Sequence, residues 1–311
     1  MQGRLTFLII LLILLAFLAG FFIWNRQNSD LVAQPLSKDG GNQNAFLLPV
    51  AETNYLPIRD FNIADPEVNA KAAVLYDTRS GRLLYAKNAD QRLSIASVTK
   101  LMTAVVVVEN LNLGEIFTVA AENVNVDGTG ADLQKDEQIY GRDLFKVMLV
   151  KSSNDAALVF AAEAQKRGID LIAKMNQKAG ELAMYGTQFN DPSGLDDYSS
   201  FSTAADLVKL ISYASRYKEI VEILKIPIAD VRSADGFVSH HLVNTNRLLG
   251  QLDGLVFGKT GYTDNALGTM AAMTTINQGR DNLISIVLGA HDRFGETVKL
   301  IEWAKRAYRW E

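Results

Sequence analysis

Ser94-Ile95-Ala96-Ser97-Val98-Thr99-Lys100 is the stretch on which the reading of this chain turns. If it opens a helix, residues three apart share a face, and the Ser97 hydroxyl meets the Lys100 amine. A serine hydroxyl becomes a useful nucleophile only when a neighbouring base takes its proton, and an amine can do so only when neutral. Free lysine titrates near ~10.4, so Lys100 must be buried or stand beside a second cation. The chain should therefore contain that cation. Taken alone, Ser-x-x-Lys decides little, because Ser215-Arg216-Tyr217-Lys218 repeats the spacing at what reads as the polar end of a helix.

Downstream, residues 101–108 are apolar apart from Thr103 and end in four valines, which suit a buried strand as well as a helix. A strand would point Ser97 and Lys100 to opposite faces, so their pairing requires the helix. Residues 143–150 and 156–166 read as helices, and Ser152-Ser153-Asn154-Asp155 between them is a natural cap and loop, with Asp155 as a capping carboxylate. Residues 171–185 continue in a helical pattern that Asn190-Asp191-Pro192-Ser193-Gly194 breaks, and another helix follows at about 203–217. Then comes Leu255-Val256-Phe257-Gly258-Lys259-Thr260-Gly261-Tyr262, strand-like, with two glycines that let another backbone approach closely. Lys259 supplies the missing cation. Residues 267–276 and 283–290 flank a turn at 277–282 as a hairpin, and 294–310 closes the chain as an amphipathic helix in which Trp303 and Trp310 read as packing residues.

Upstream, residues 72–76 and 83–86 flank Arg79-Ser80-Gly81-Arg82 as a first hairpin, so the folded unit is expected to span residues 70–311. Residues 25–69 read as a linker. Its first part, to about Asn44, is rich in Asn, Gln, Ser, Asp and Gly, while 45–69 is mixed and carries three prolines, which leaves its packing open. Residues 5–24 are apolar without a charge, close to the ~20 residues a helix needs to cross a bilayer. We read residues 1–24 as a transmembrane anchor, the rival being a signal peptide cut near Leu18-Ala19-Gly20. Charge gives little topology, since Arg4 and the amino terminus oppose Arg26 across the span.

Composition narrows the classes further. The chain has 311 residues, 48% of them hydrophobic, which excludes disorder for most of its length. A net charge of -4 gives no electrostatic case for nucleic acid, and we expect no nucleic-acid partner. Without cysteine there are no disulfides and no thiolate chemistry. His240, His241 and His291 fall in no metal-ligand pattern, the adjacent pair reads as a surface feature, and we expect neither metal nor cofactor.

Three pieces now stand in order: Ser97-Val98-Thr99-Lys100, Ser152-Ser153-Asn154 and Lys259-Thr260-Gly261. This resembles the serine penicillin-recognising enzymes. Longer matches, at residues 92–103, 151–157, 191–196, 244–249 and 259–263, look like the D-alanyl-D-alanine carboxypeptidases among the low-molecular-mass penicillin-binding proteins. The resemblance implies an α/β fold of the α+β type, β-lactamase/transpeptidase-like. In it an antiparallel sheet flanked by helices lies beside an all-helical subdomain at roughly 113–226, here preceded by one transmembrane helix.

Carried over, the resemblance makes Ser97 the nucleophile on the carbonyl between the last two D-alanines of a peptidoglycan stem peptide, with Lys100 as its base. Lys259 would keep Lys100 neutral by repulsion and attract the substrate's terminal carboxylate, which Thr260 would also bond. Ser152 would relay a proton to the departing nitrogen, Asn154 would hold Lys100 and the substrate amide, and the backbone N–H groups of Ser97 and Tyr262, beside Gly261, would meet the oxyanion. β-Lactam antibiotics would act as covalent inhibitors. The implied place is the bacterial cell membrane, single-pass, with the catalytic domain on the extracytoplasmic side. Many relatives carry a further β-rich domain with a membrane helix, whereas this chain stops at Glu311, so the N-terminal helix is expected to replace that attachment. An endopeptidase cutting cross-links shares all three motifs. A β-lactamase needs an efficient route for water to the acyl-enzyme; the class A solution is a glutamate on a loop between the second and third motifs, for which Glu181 is the candidate, but Glu181 lies in a helical pattern. A non-catalytic wall-binding protein has no use for an intact Ser97, Lys100, Ser152 and Lys259.

Overall fold

The computed structural model describes residues 55–310 apart from Asn125 and residues 196–199. The anchor expected at 1–24, residues 25–54 of the linker, and Asp196 of the 191–196 match lie outside the described residues. In chain order come strands β1 (Ile58–Arg59), β2 (Ala72–Asp77) and β3 (Arg82–Lys87), then a single 3₁₀ turn (Ala96–Thr99) that runs directly into helix α1 (Lys100–Asn110). Strands β4 (Ile116–Thr118) and β5 (Gln138–Tyr140) follow, then helices α2 (Gly141–Val150), α3 (Asn154–Lys166), α4 (Leu171–Glu181), α5 (Ala204–Ala214) and α6 (Lys218–Leu224). Strands β6 (Ile228–Arg232), β7 (Ser239–Val243), β8 (Leu255–Thr263), β9 (Leu267–Ile276) and β10 (Asp281–Ala290) lead to helix α7 (Arg293–Ala307) and strand β11 (Tyr308–Arg309).

Five of the strands form one antiparallel sheet in the order β3-β2-β10-β9-β8. Strand side chains alternate between faces, and β2 shows what each face buries. Ala72, Val74 and Tyr76 join a large apolar cluster with α1 to α6, while Ala73 and Leu75 join a smaller one with Leu300, Ile301, Trp303 and Ala304 of α7. Helices therefore cover both faces, and all six β2 residues are buried.

The 101–108 run is helical. Every residue of α1 from Lys100 to Val107 is buried, because α2, α3, α4 and α5 all pack around it. A helix apolar on all sides belongs at the centre of a domain, where packing overrides the strand preference of consecutive valines. The helix expected at 171–185 stops at Glu181. The subdomain between the outer strands is not purely helical, since β4 and β5 pair within it. A further hairpin, β6 with β7, precedes β8.

Sequence alone assigns residues 25–69 to a linker, with 45–69 left open. From Tyr55 onward this stretch packs on the domain: β1 pairs with β11, Tyr55 and Val68 are buried, and Trp303 Nε1 donates to the Ala64 carbonyl at 2.9 Å. The histidine pair also departs from expectation. Strand alternation turns His241 to solvent and His240 into the interior, where it is 5% exposed. Among the described residues no helix is long and apolar enough to cross a membrane.

Candidate active site

The 3₁₀ turn is what joins Ser97 to Lys100. With three residues per turn, positions i and i+3 eclipse, and Lys100 Nζ lies 2.9 Å from Ser97 Oγ. Ala96, immediately before the serine, has φ +47°, a left-handed conformation that a non-glycine residue holds only under constraint. Gly194, at φ +78°, packs directly against this residue, and a Cβ there would lie 2.0 Å from the Ala96 carbonyl oxygen. The 191–195 turn that carries Gly194 is tied to α1 by Thr103 Oγ1, which donates to the Pro192 carbonyl at 2.6 Å. As an early residue of a helical turn, Ser97 also presents a backbone N–H with no partner inside the turn.

Lys100 is fully buried and makes two more hydrogen bonds, to Asn154 Oδ1 at 2.7 Å and to the Ser193 carbonyl at 2.7 Å. Both are acceptors only. A neutral amine has two N–H groups and one lone pair, so those acceptors take the hydrogens and leave the lone pair facing Ser97 Oγ. Burial lowers the Lys100 pKa to about 7, against the opposing pull of Asp191 and Asp155. Sequence reasoning gives this task to Lys259. The structure puts burial first for Lys100, and the repulsion between the two amines weighs on Lys259 instead.

Ser152 follows the last residues of α2 with φ +62°, another strained non-glycine position, and receives a 2.6 Å hydrogen bond from Lys259 Nζ. Lys259, on β8, is 1% exposed and also donates to the Thr260 carbonyl at 2.9 Å. Burial leads the causes that hold it well below the ordinary ammonium range, followed by Lys100 and Arg293. Asn154 begins α3. Its Nδ2 donates to the Asp127 carbonyl at 2.8 Å, which fixes the amide so that Oδ1 faces Lys100. The cap of α3 is Ser153, whose Oγ accepts from Ala156 N at 3.2 Å, and not Asp155, which lies in the first turn and accepts from Ala156 N at 2.8 Å, from Ala131 N at 2.9 Å and from Ser153 Oγ.

Gly261 allows the close approach expected of it. A Cβ there would lie 2.5 Å from Thr269 Oγ1, 2.8 Å from Ser97 N and 2.9 Å from the Ile95 carbonyl oxygen, so edge strand β8 passes against the serine turn only because residue 261 has no side chain. Thr260 Oγ1 lies 2.7 Å from Thr245 Oγ1, and Tyr262 is 59% exposed. Ser97, Lys100, Ser152, Asn154 and Lys259 are thus joined by side-chain hydrogen bonds in two groups, with Lys100 and Lys259 close enough to repel. Glu181 is engaged elsewhere, with Lys178 Nζ at 2.6 Å and Gln177 Nε2 at 2.9 Å on its own helix.

Three contributors were not singled out by sequence. Ser193 acts through a carbonyl, which no side-chain pattern announces. Thr245 sits inside the 244–249 match but carries no chemistry until Thr260 is beside it. Arg293, at the start of α7, is half-buried and interacts electrostatically with Lys259 and Tyr262; its Nε is buried without a hydrogen-bond partner. Such a site can attack a carbonyl carbon with a serine oxygen and hold an anion at its cationic end.

Known proteins resemble the chain over most of its described residues. The family described as D-alanyl-D-alanine carboxypeptidase matches residues 59–292. D-alanyl-D-alanine carboxypeptidase DacF of Bacillus subtilis is 30% identical over 247 residues, 77% of this chain and 63% of that protein. A D-alanyl-D-alanine endopeptidase of Haemophilus influenzae is 36% identical over 197 residues, 62% of this chain and 66% of that protein. The chain thus spans somewhat under two thirds of both. Penicillin-binding protein D2 from Listeria monocytogenes, solved in an ampicillin-bound form, superposes with a TM-score of 0.67 at 35% identity, covering 77% of this chain and 99% of that one.

Proposed function

Since the chain belongs to the D-alanyl-D-alanine carboxypeptidase family of serine DD-peptidases, we propose that it removes the terminal D-alanine from peptidoglycan stem peptides through an acyl-enzyme on Ser97. The observation that carries this reading is the hydrogen bonding of Lys100: with Asn154 Oδ1 and the Ser193 carbonyl taking its hydrogens, its lone pair is left for the Ser97 proton. Ser97 Oγ attacks the carbonyl of the penultimate D-alanine as its proton passes to Lys100 Nζ. The oxyanion is met by the backbone N–H groups of Ser97 and Tyr262, donors of a kind that contribute ~3–4 kcal/mol each to the transition state. Lys259, Thr260 and Arg293 receive the substrate carboxylate, whose charge favours the protonated form of Lys259. Ser152, bonded to Lys259, passes a proton to the departing nitrogen as the C–N bond breaks. Water then attacks the ester, the C–Oγ bond breaks, and Ser97 recovers its proton.

The substrate lies outside the cytoplasm, which favours an extracytoplasmic catalytic unit held to the membrane by residues 5–24. β-Lactams enter the same path, their ring carbonyl taking the place of the peptide carbonyl, and remain on Ser97. The H. influenzae relative favours a second reading, an endopeptidase acting on cross-links. Intact-mass spectrometry with benzylpenicillin tests the chemistry: a long-lived adduct on the wild type and none on Ser97→Ala is expected. An adduct that survives Ser97→Ala, or none on the wild type, refutes the nucleophile. Release of D-alanine from a pentapeptide supports the carboxypeptidase, whereas cleavage of a cross-linked dimer alone would transfer the reading to the endopeptidase.

A further inference from the structure

A buried ion pair lies outside this machinery. His240, on β7, places Nε2 2.7 Å from Glu137 Oε1 and Nδ1 3.0 Å from the Ala131 carbonyl oxygen. A carbonyl and an ionised carboxylate only accept, so with Glu137 charged both ring nitrogens carry hydrogen and His240 is an imidazolium. Glu137 is itself buried and receives Gln134 N on Oε2 at 2.9 Å.

What the pair grips is the loop that serves Asn154. The Asp127 carbonyl accepts from Asn154 Nδ2 at 2.8 Å and the Thr129 carbonyl from Asn154 N at 2.7 Å. Two residues on, Ala131 is held from both sides, its N–H by Asp155 and its carbonyl by His240. Gly128 between them has φ +81°, and a Cβ there would lie 2.7 Å from Asn154 Nδ2. The loop therefore has one path past the asparagine, and its far end rests on the histidine. We propose that His240 and Glu137 are positioning residues of the site: their ion pair clamps residues 127–131 so that the Asn154 amide faces Lys100, and loss of the His240 proton releases the clamp.

The charged groups that face His240 are Glu137, from the turn before β5, and Asp155, from the first turn of α3. Both favour its protonated form, Glu137 most, and burial opposes them; the balance holds its pKa above the ordinary histidine value of 6.5. Its neighbour His241 faces solvent and pairs with Asp230 at 2.8 Å. The clamp is thus closed at low pH and opens as pH rises through a value above 6.5. Lys100 imposes the opposite limit, since it must lose a proton to act. Together the two groups bound activity on both sides, with the alkaline side set by a residue that touches neither substrate nor nucleophile.

This inference rests on the acylation chemistry proposed above. Its test is the rate of acylation by a fluorescent penicillin between pH 5.5 and about 9.5, measured on the full-length protein in detergent, for wild type, Glu137→Gln, His240→Gln and, as an exposed control, His241→Gln. Losing the partner charge should move the falling limb of Glu137→Gln down by about one pH unit. His240→Gln, whose amide does not titrate, should lack that limb and acylate ~10-fold or more slowly at neutral pH, because small displacements of a site are costly. His241→Gln should follow the wild type. Nitrogen chemical shifts should report both His240 ring nitrogens protonated at pH 6.5, with a midpoint coinciding with the limb. A limb at the same pH in wild type and both clamp variants, or a lowered melting midpoint with unchanged acylation, overturns the proposal. If the wild type acylates at no pH, the reading of function falls, and the side-chain amide resonance of Asn154 still decides the clamp: it moves through the His240 midpoint if the clamp exists and stays fixed if it does not.

Discussion

Gly261→Ala is the substitution whose effect can be worked out most fully. The added methyl would sit 2.8 Å from Ser97 N, and ordinary contact begins at 3.4 Å, so β8 and the serine turn must part by about 0.6 Å. There is little slack to absorb this. Thr269 Oγ1, 2.5 Å from the same methyl, is itself held by a 3.1 Å hydrogen bond to the Ile95 carbonyl, and that oxygen is the third crowded atom. Overpacking of this kind costs ~1–3 kcal/mol of stability. The larger consequence is for rate, because parting β8 from the turn separates the two backbone donors expected to share the oxyanion. A misplacement of about 1 Å costs roughly 100-fold, so ~10–100-fold slower acylation is expected here. Gly180→Ala is the control, since a Cβ at that helical position meets nothing within 4 Å and alanine there should stabilise by roughly 0.5–1 kcal/mol. Acylation by a fluorescent penicillin and melting by circular dichroism separate the two effects. A Gly261→Ala protein that acylates within about twofold of wild type would show that the close approach does not place the donors, and the oxyanion assignment would go with it.

The acid side of the pH profile reports Lys100. With its pKa at about 7, acylation should rise about tenfold per pH unit below that value until the His240 limb turns it down, and a flat rate between about pH 5.5 and 7 would remove Lys100 as the base. Arg293→Gln should raise KM for a peptide ending in a free carboxylate by ~10-fold or more while changing kcat little, since a charged hydrogen bond contributes ~1.5–3 kcal/mol. Steady-state kinetics on D-alanyl-D-alanine peptides decides this, and an unchanged KM would take the arginine out of the binding set.

The parts of the site that sequence displays are those in which neighbouring residues carry the chemistry. Ser97 and Lys100 sit one 3₁₀ turn apart, Ser152 and Asn154 share one cap, and Lys259 to Gly261 share one strand. What it hides depends on contacts between distant segments. The Ser193 carbonyl reaches Lys100 across 93 positions of chain. His240 looks like half of a surface pair until alternation along β7 and a carboxylate 103 residues away draw it inside. The valine run of α1 is ambiguous for the same reason: only the four helices that enclose it decide its conformation. The β6–β7 hairpin turns at Asp235-Gly236, a signal that sequence displays, but its strands are short and bury only Val231, His240 and Leu242, so the pattern is faint.

The pairing of β1 with β11 has a practical corollary. Tyr308 Oη bonds the Leu84 carbonyl at 3.2 Å, so this small ribbon lies beside β3, at one edge of the sheet, while Gly261 works at the other, four strands away. Four interstrand spacings of about 4.8 Å separate β3 from β8, which puts the ribbon roughly 19 Å from the cleft. Enzyme fixed to a bead or chip through the exposed Arg309 of that ribbon would therefore be held by its back edge, with the cleft at the opposite edge of the sheet.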